Sequence, residues 1–153
     1  MKKVWSLVLG LIVFLCFVAC ADNSKKSDMP DMPIEKEIIV VREGEEEVFT
    51  GTLFVNNTMG YAVYLLPDYE LRKSGESDLI APKSESELSS EINMLIYEVN
   101  SDKPIPEGDN EHDYRRFIVE DKTLEMKLSY PSEAVEGGVV LLHAMADTIC
   151  KAK

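Results

Sequence analysis

The chain has 153 residues, of which 45% are hydrophobic and 29% charged, and 28 acidic residues against 16 basic ones give it a net charge of −12. A protein this acidic is repelled by the phosphate backbone of nucleic acids and by anionic lipid head groups. Composition therefore excludes nucleic-acid binding, and the length allows one modest hydrophobic core.

The first 19 residues have the order of a secretory signal peptide. Lys2 and Lys3 form a short positive segment, and Val4–Ala19 is an uncharged, largely apolar run. As a helix this run reaches about 24 Å, short of the roughly 30 Å hydrocarbon core that a permanent span must cross. We therefore predict a cleaved leader over residues 1–19, with a retained anchor helix as the alternative.

The apolar run closes on Phe17-Val18-Ala19-Cys20, which resembles the lipobox of bacterial lipoproteins. The resemblance implies that the Cys20 thiol receives a diacylglycerol group before cleavage after Ala19. Cysteine suits this chemistry because its thiolate is the nucleophile that takes the lipid, and two or more acyl chains give stable anchoring. Ordinary secretion without a lipid is the alternative.

The lipobox resemblance also implies a location. The protein is expected on the extracytoplasmic face of the cell membrane, held there through the lipid on Cys20. Small lipoproteins of unknown function from Gram-positive bacteria look similar, and in such a cell the outer face of the plasma membrane is the only destination. Ala21 would permit an outer-membrane destination in a Gram-negative cell, by resemblance to the sorting rules of those bacteria.

The cysteine count predicts a fold without disulfides. Cys16 leaves with the leader and Cys20 is consumed by the lipid, so Cys150 is the only thiol of the mature chain. No paired base stands beside Cys150 in the sequence, which favours a small buried hydrophobe over a reactive thiol. Loss of Lys2 and Lys3 with the leader changes the net charge to −14.

Residues 20–33 are predicted to be the lipidated cysteine and a flexible tether. Ala21–Pro33 is polar, contains two prolines and has no periodic apolar pattern. Fully extended, this segment would reach about 43 Å. The remaining residues, 34–153, are predicted to form a single domain.

The domain begins with three segments that favour strands. Ile34–Val41 contains a β-branched cluster, Val48–Val55 is a second apolar segment, and Tyr61–Leu66 is a third. Turn-forming residues separate them, with Gly44 in the first turn and Gly60 in the second. We expect these segments to pair as neighbouring antiparallel strands.

The middle of the domain is less regular. Residues 70–90 hold scattered leucines and isoleucine interrupted by Gly75 and Pro82, which predicts a loop with one short strand near Leu79. Ile92–Val99 is apolar on both faces, which is typical of a strand near the centre of a sheet. Two prolines and a glycine in the segment that follows, residues 100–110, predict a surface loop.

The C-terminal third predicts a hairpin and then a helix. Tyr114–Glu120 and Thr123–Tyr130 are the two arms of the hairpin, and the second arm alternates apolar and polar residues. Apolar residues then recur at helical spacing, after a turn that ends near Gly137-Gly138. They are Val135, Val139, Leu142, Met145 or Ala146, and Ile149. Lys151 and Lys153 are expected at the negative end of the helix dipole.

The predicted elements add up to an α+β domain. No βαβ unit is present, so the expected architecture is an antiparallel β-sheet that is covered on one face by a C-terminal helix. Three pieces of this pattern stand out, namely Tyr61-x-x-x-x-x-Pro67-x-Tyr69, Tyr130-Pro131 after paired strands, and Met145-x-x-Thr148-Ile149. Together they resemble the PsbP-like fold family over roughly residues 60–153. The resemblance implies a non-catalytic accessory or binding module and assigns no functional residue.

Two histidines are the candidates for chemistry. His112 follows several carboxylates in the Asp109–Asp113 segment, where a calcium or zinc site is one interpretation and a solvated acidic loop the other. The spacing does not fit an EF-hand, and no metal ligand is assigned. His143 stands next to the apolar stripe of the helix, which favours a boundary residue over a catalytic base.

The motifs of common enzyme classes are missing. The sequence contains no Gly-x-Ser-x-Gly, no glycine-rich phosphate loop and no Cys-x-x-Cys pair. We therefore expect no catalytic residue and no cofactor, and predict a membrane-tethered binding or accessory module of the cell envelope whose protein or small-molecule partner the sequence does not identify. The alternatives are a metal-dependent or hydrolytic envelope enzyme that uses His112 or His143, and a structural subunit of an envelope complex.

Overall fold

The structure of the protein is a computed structural model, which describes residues 32–83, 91–132 and 137–152. The predicted leader, Cys20 and most of the tether lie outside the described residues, as do Leu88, Val135 and Lys153. Within the described ranges, no helix has the length and hydropathy needed to cross a lipid bilayer.

The described residues form nine strands and one helix. In chain order they are β1 (Glu35–Arg42), β2 (Glu45–Asn56), β3 (Tyr61–Leu65), β4 (Tyr69–Ser74), β5 (Ser77–Pro82), β6 (Asn93–Val99), β7 (His112–Val119), β8 (Lys122–Ser129), α1 (Gly138–Ala146) and β9 (Cys150–Lys151). The predominance of antiparallel strands beside a short helix agrees with the α+β class predicted from the sequence.

The strands form two antiparallel sheets, where the sequence predicted one. The first has the order β1-β2-β3-β9 and the second the order β4-β5-β6-β8-β7. The division falls after β3, where Pro67 has no N–H group with which to continue a ladder. A turn closed by the bond from Tyr69 N to Leu66 O (3.0 Å) then directs β4 into the second sheet.

Strand alternation gives the first sheet one buried and one exposed face. In β1, Ile38 and Val40 are buried while Ile39 and Val41 are exposed. The three predicted N-terminal strands are confirmed, although β2 begins three residues earlier than the apolar segment at Val48. The short strand β9, which the sequence did not predict, pairs with β3 at the far edge.

The short strand predicted near Leu79 is confirmed as β5, whereas the loop predicted before it, from residue 70, is wrong. Residues 69–82 form the β4–β5 hairpin, and Gly75, with φ +63°, is its turn residue and does not interrupt a loop. Pro82 is the last residue of β5, where its missing N–H ends the strand. Ile80 is buried, which explains why the weakly patterned sequence nevertheless forms a strand.

The predictions for β6, β7 and β8 are confirmed. β6 is the third of five strands in its sheet, as its apolar faces indicated, and β7 and β8 form the predicted hairpin. Leu124, Met126 and Leu128 are buried on one face of β8. Glu125 on the opposite face is also buried, at 4% exposure, because Arg116 and Tyr97 bond both of its carboxylate oxygens at 2.6 Å.

The helix is shorter than its apolar pattern. Val139, Leu142, Met145 and Ala146 are buried as predicted, and the helix begins at Gly138. Ile149 lies after the end of the helix, and Lys151 lies in β9. The expected interaction of Lys151 with the helix dipole is therefore wrong, because β9 pairing with β3 takes up that residue.

A single buried cluster contains side chains from both sheets and the helix. Tyr61 of β3 packs edge-on against Phe117 of β7, with ring centroids 6.4 Å apart and an 81° angle between the rings. Beside them, Gly60 has φ +78°, and a Cβ atom at this position would lie 2.8 Å from Cγ1 of Val119. The two sheets thus approach each other closely where the β2–β3 turn meets the end of β7.

Substituting Gly60 tests this close approach. We expect Gly60→Ala to destabilise the protein by about 1–3 kcal/mol more than Gly44→Ala, because only Gly60 combines a positive φ with overlap against a buried neighbour. Gly44 is the matched control, since its φ is +85° and a Cβ atom added there would meet nothing within 4 Å. Urea unfolding of both variants checks this, and equal losses would contradict the close approach.

Candidate functional site

A polar cluster connects β7 to the C-terminal end of α1. Asp113 and Arg115 lie two residues apart, on one face of β7, and His143 and Asp147 lie four residues apart, on one side of the helix end. The strand period and the helix period therefore bring four charged or titratable side chains together. We call these four residues the β7–α1 cluster.

Arg115 is the centre of the β7–α1 cluster. One Nη atom lies 2.6 Å from Nδ1 of His143, and the other bonds the carboxylate of Asp147. Asp113 lies farther away, with its Oδ2 at 3.7 Å from Nε of Arg115 and 3.8 Å from Nδ1 of His143. One guanidinium thus holds two carboxylates and an imidazole.

This geometry fixes the tautomer of His143. Arginine stays protonated in proteins and only donates, so Nδ1 of His143 accepts and the imidazole carries its proton on Nε2. Burial and the nearby charge of Arg115 lower the pKa of His143, although Asp113 and Asp147 act in the opposite direction. In a catalytic triad, Nδ1–H of the histidine donates to a carboxylate, and the unprotonated Nε2 acts as the base. In the β7–α1 cluster, Nδ1 of His143 accepts from Arg115 and Nε2 carries the proton, so His143 is not arranged as the base of a triad.

Tyr130 connects the β7–α1 cluster to the second histidine. Its ring centroid is 6.4 Å from that of His143, and burial raises its pKa, with a further rise from Asp113 and Asp109. Tyr130 also lines a groove of about 580 Å³ together with His112. The structure therefore brings the two sequence-predicted histidines to neighbouring positions beside one tyrosine.

His112, the first residue of β7, is bonded to the loop that precedes the strand. Its Nδ1 lies 3.0 and 3.1 Å from the two carboxylate oxygens of Asp109, and Asp109 also accepts from the backbone N–H of Glu111 at 2.8 Å. That backbone bond and His112 lower the pKa of Asp109. Across the described ranges, which include all of Asp109–Asp113, no three His, Cys, Asp or Glu side chains are grouped to hold a metal ion.

Cys150 is half-buried in β9. Its Sγ lies 3.6 Å from Sδ of Met32, and burial raises the pKa of the thiol, which Lys36 offsets only in part. The thiol is thus mostly protonated near neutral pH and is a weak nucleophile in that state. Its environment is that of a small packing residue between the two ends of the domain.

A buried carboxylate network was not predicted from the sequence. Asp78 of β5 is completely buried, and its carboxylate accepts hydrogen bonds from Lys73, Asn56 and the hydroxyl of Tyr61, the last at 2.6 Å. Asn56 in turn accepts the backbone N–H groups of Thr58 and Met59 at 2.9 Å each. The turn signal around Asn56 was visible in the sequence, whereas nothing in the pattern of β5 marked Asp78.

Charge and hydrogen bonding keep Asp78 ionised. Burial favours the neutral acid, but the bonds from Lys73, Tyr61 and Asn56 outweigh it and lower the pKa of Asp78. Burial and the bond to Asp78 raise the pKa of Tyr61. The network joins β2 and β3 of the first sheet to β4 and β5 of the second, so its role is to hold the sheets together.

A groove of about 430 Å³ runs between β1 and α1. Ile38–Val41 and Lys36 form one wall, and the helix side includes His143 and Asp147 of the β7–α1 cluster together with Val140, Ala144 and Thr148. Four consecutive residues of a strand point alternately to its two faces, so this wall is the edge of β1. The groove and the β7–α1 cluster thus share His143 and Asp147.

Comparison with known proteins gives no relative: no family model, no curated protein and no solved structure matches the chain. The chemistry and geometry of the described residues therefore carry the functional inference.

Removing the carboxylate of Asp78 is expected to be costly. Asp78→Ala leaves Lys73, Asn56 and Tyr61 without their acceptor, which should destabilise the protein by about 3–5 kcal/mol at pH 7. Asp68→Ala is the matched control, because Asp68 is exposed and the loss should stay within about 0.5 kcal/mol.

The loss of stability caused by Asp78→Ala should depend on pH with a defined sign. The pKa of Asp78 is lower in the folded state, so its stabilisation is present above the unfolded pKa and is lost as the pH falls through the folded one. The difference between wild type and Asp78→Ala in urea unfolding should therefore shrink in acid. A difference that grew on acidification would contradict the network.

His143 should make the protein acid-sensitive. Its pKa is lowered in the folded state, so the unfolded chain binds more protons near its pKa of about 6.5, and stability falls as the pH drops through that region. His143→Gln keeps an acceptor for Arg115 and removes the titration. Urea midpoints between about pH 7.5 and 5.5 should fall less steeply for the variant, and identical slopes would exclude this role.

Proposed function

We propose that the protein is a lipid-anchored, extracytoplasmic lipoprotein whose domain is a non-catalytic binding or accessory module of the cell envelope. One observation carries the proposal, namely that Cys20 directly follows a charged and then apolar leader that ends in Phe17-Val18-Ala19. The membrane is its first partner, through the lipid on Cys20. A protein or small-molecule partner in the envelope is the second.

The number of residues between Cys20 and the first described contacts of the domain supports a tethered arrangement. The first described contacts of the chain are Sδ of Met32 with Cys150 and the carbonyl of Pro33, which accepts from the hydroxyl of Tyr64 at 2.8 Å. Residues 21–31 therefore separate the anchor from the fold. Fully extended, they would span about 36 Å, enough to hold the domain clear of the head groups.

The state of the reactive side chains supports a non-catalytic module. Asp78 is committed to three hydrogen bonds within the core, and Nδ1 of His143 accepts from Arg115. The pKa of the Cys150 thiol is raised by burial, and His112 is bonded to Asp109 in the loop that precedes β7. Each group is thus engaged by a neighbour that holds the fold or the loop together.

We also propose that the α+β domain is PsbP-like. The strand β3 with Pro67 and Tyr69, the β7–β8 hairpin that leads to Tyr130, and the closing helix are the pieces that support this assignment. Tyr69 is buried, which raises its pKa to about 12, and therefore acts as a packing residue at the start of β4. An accessory or binding role accords with that fold.

Lipidation of Cys20 is the test of the proposed function. We expect the full-length protein in the membrane fraction to incorporate an alkyne analogue of palmitate, and its N-terminal peptide to begin at acylated Cys20 in mass spectrometry. Cys20→Ala removes the acceptor thiol, so labelling should be lost completely and the leader retained.

Two cysteine variants are the controls for this experiment. Cys16→Ala and Cys150→Ala each remove another thiol of the chain, and both should label like the wild type. An intact Met1 terminus, or unmodified Cys20 on protein in the cytoplasm, would overturn the proposal.

A further inference from the structure

The outer edge of β1 is not paired by any strand of the described residues. β1 is the edge strand of its sheet, and within the described part of the chain no backbone bond reaches its outer side. The bond from Leu53 N to Ile34 O (2.8 Å) shows that even-numbered residues of β1 bond to β2, because bonded and non-bonded pairs alternate along an antiparallel ladder. The N–H and C=O groups that point outward are those of Glu35, Glu37, Ile39 and Val41.

The same edge exposes large apolar side chains. Ile39 and its cross-strand partner Val48 are each 61% exposed, and Val41 is 56% exposed. β1 contains no proline, the residue that commonly protects a free edge from pairing. Lys36, its one lysine, lies on the other face with Nζ at 5.7 Å from the ring centroid of Tyr64.

The groove beside this edge has room for an added strand. An added strand would lie about 4.8 Å from β1 and would cover the groove of about 430 Å³ between β1 and α1. Its inward-facing side chains would meet the apolar residues Val140 and Ala144 of the helix. Extended peptides bind by strand addition at an exposed sheet edge, where pockets for alternate side chains give specificity.

The charges around the edge define the ligand. On the exposed face, Glu35 and Glu37 precede Ile39 along β1, and Glu46 lies opposite Val41 on β2. Opposite charges directly across a strand pair are stabilising and like charges are destabilising. An added strand should therefore place apolar residues beside Ile39 and Val41 and cationic residues beside Glu35 and Glu37.

We propose that the edge of β1 and its groove bind an extended, cationic and apolar segment of another envelope protein by β-strand addition. This inference deepens the proposed function, on which it rests, by naming the class of partner. The backbone of β1 supplies affinity, while the glutamates and the apolar groove select the sequence that binds.

A second copy of the chain suits this edge less well. Self-pairing of β1 about Ile39 would place Lys36 opposite Arg42, which are like charges. It would also bring together two bodies that each carry a net charge of −14 once the predicted leader is removed. An anionic lipid surface is likewise repelled by Glu35 and Glu37.

Peptide binding to the full-length protein in detergent micelles tests the proposal. The probe is fluorescein-labelled Ile-Leu-Val-Ala-Lys-Thr-Lys, written so that its lysines face Glu35 and Glu37 in antiparallel register, and the control peptide has Glu in place of both Lys. We expect saturable binding by fluorescence anisotropy, with a Kd at least about tenfold lower for the lysine peptide.

Two variants at one position separate backbone from side-chain effects. Ile39→Pro removes an N–H that faces the open edge and is unused within the sheet, so the fold should survive while binding weakens at least about tenfold. Ile39→Thr keeps the N–H and the β-branched shape and should retain most of the binding. Thermal melts of both variants verify folding. If Ile39→Pro melts early, backbone pairing is tested instead on the wild-type protein, with the lysine peptide N-methylated on the amides that face β1.

The outcomes are decisive in both directions. Equal binding of the lysine and glutamate peptides, or no binding of either, would overturn the proposal, as would wild-type affinity in a folded Ile39→Pro variant. Sedimentation that shows a dimer lost in Ile39→Pro would assign the edge to a second copy and would also overturn it. Acylation of Cys20 is measured separately, so failure of peptide binding leaves the lipoprotein assignment standing.

Discussion

The buried carboxylate of Asp78 is the constraint on which the arrangement of the two sheets depends. It receives donors from Asn56 and Tyr61 in the first sheet and from Lys73 in its own hairpin. A buried charge is tolerated only when it is fully paired, so the orientation of the sheets must bring both Asn56 and Tyr61 of the first sheet to Asp78. In the same orientation Gly60 lies so close to Val119 that a Cβ atom would overlap it. The chain thus achieves a fixed relation between two sheets without a disulfide in its described residues.

The same fixed relation places the β7–α1 cluster and the groove along β1 outside the buried core. The β7–α1 cluster ties the second sheet to the helix through Arg115, and the helix in turn forms one wall of the groove along β1. The pair of Arg115 with Asp147 links the C-terminal end of the helix to β7 and so helps to position the wall that faces β1. A pre-formed groove binds an extended segment without first ordering its own side chains, which favours affinity. The ion pairs of Arg115 would therefore favour the strand addition that we propose at the edge of β1.

Sequence patterns predicted the parts of the fold that depend on local periodicity. The alternation of Leu124, Met126 and Leu128 identified β8, and the helical spacing of Val139, Leu142 and Met145 identified α1, because each pattern directly reports which face is buried. Of the β4–β5 hairpin the sequence predicts only the strand near Leu79, because β4 has just two apolar residues and a glycine such as Gly75 is as common in loops as in hairpin turns. The division into two sheets and the donors of Asp78 come from contacts between residues distant in sequence, which periodicity does not encode. For the site, the two histidines were identified but Arg115, which controls His143, was not, since a strand arginine carries no pattern of its own.

The contact between Met32 and Cys150 brings the two ends of the described domain side by side, and Ala152 N donates to Gly60 O (2.9 Å) next to them. The two ends of the described chain thus lie close enough to be joined. A short linker would connect residue 152 to residue 32, and new termini could be opened in the exposed loop of residues 100–110. In such a circular permutant the leader and Cys20 would be joined to the domain at a different point of its surface. If Cys20 is acylated as we propose, the orientation of the domain toward the bilayer can thereby be changed without altering a single core residue.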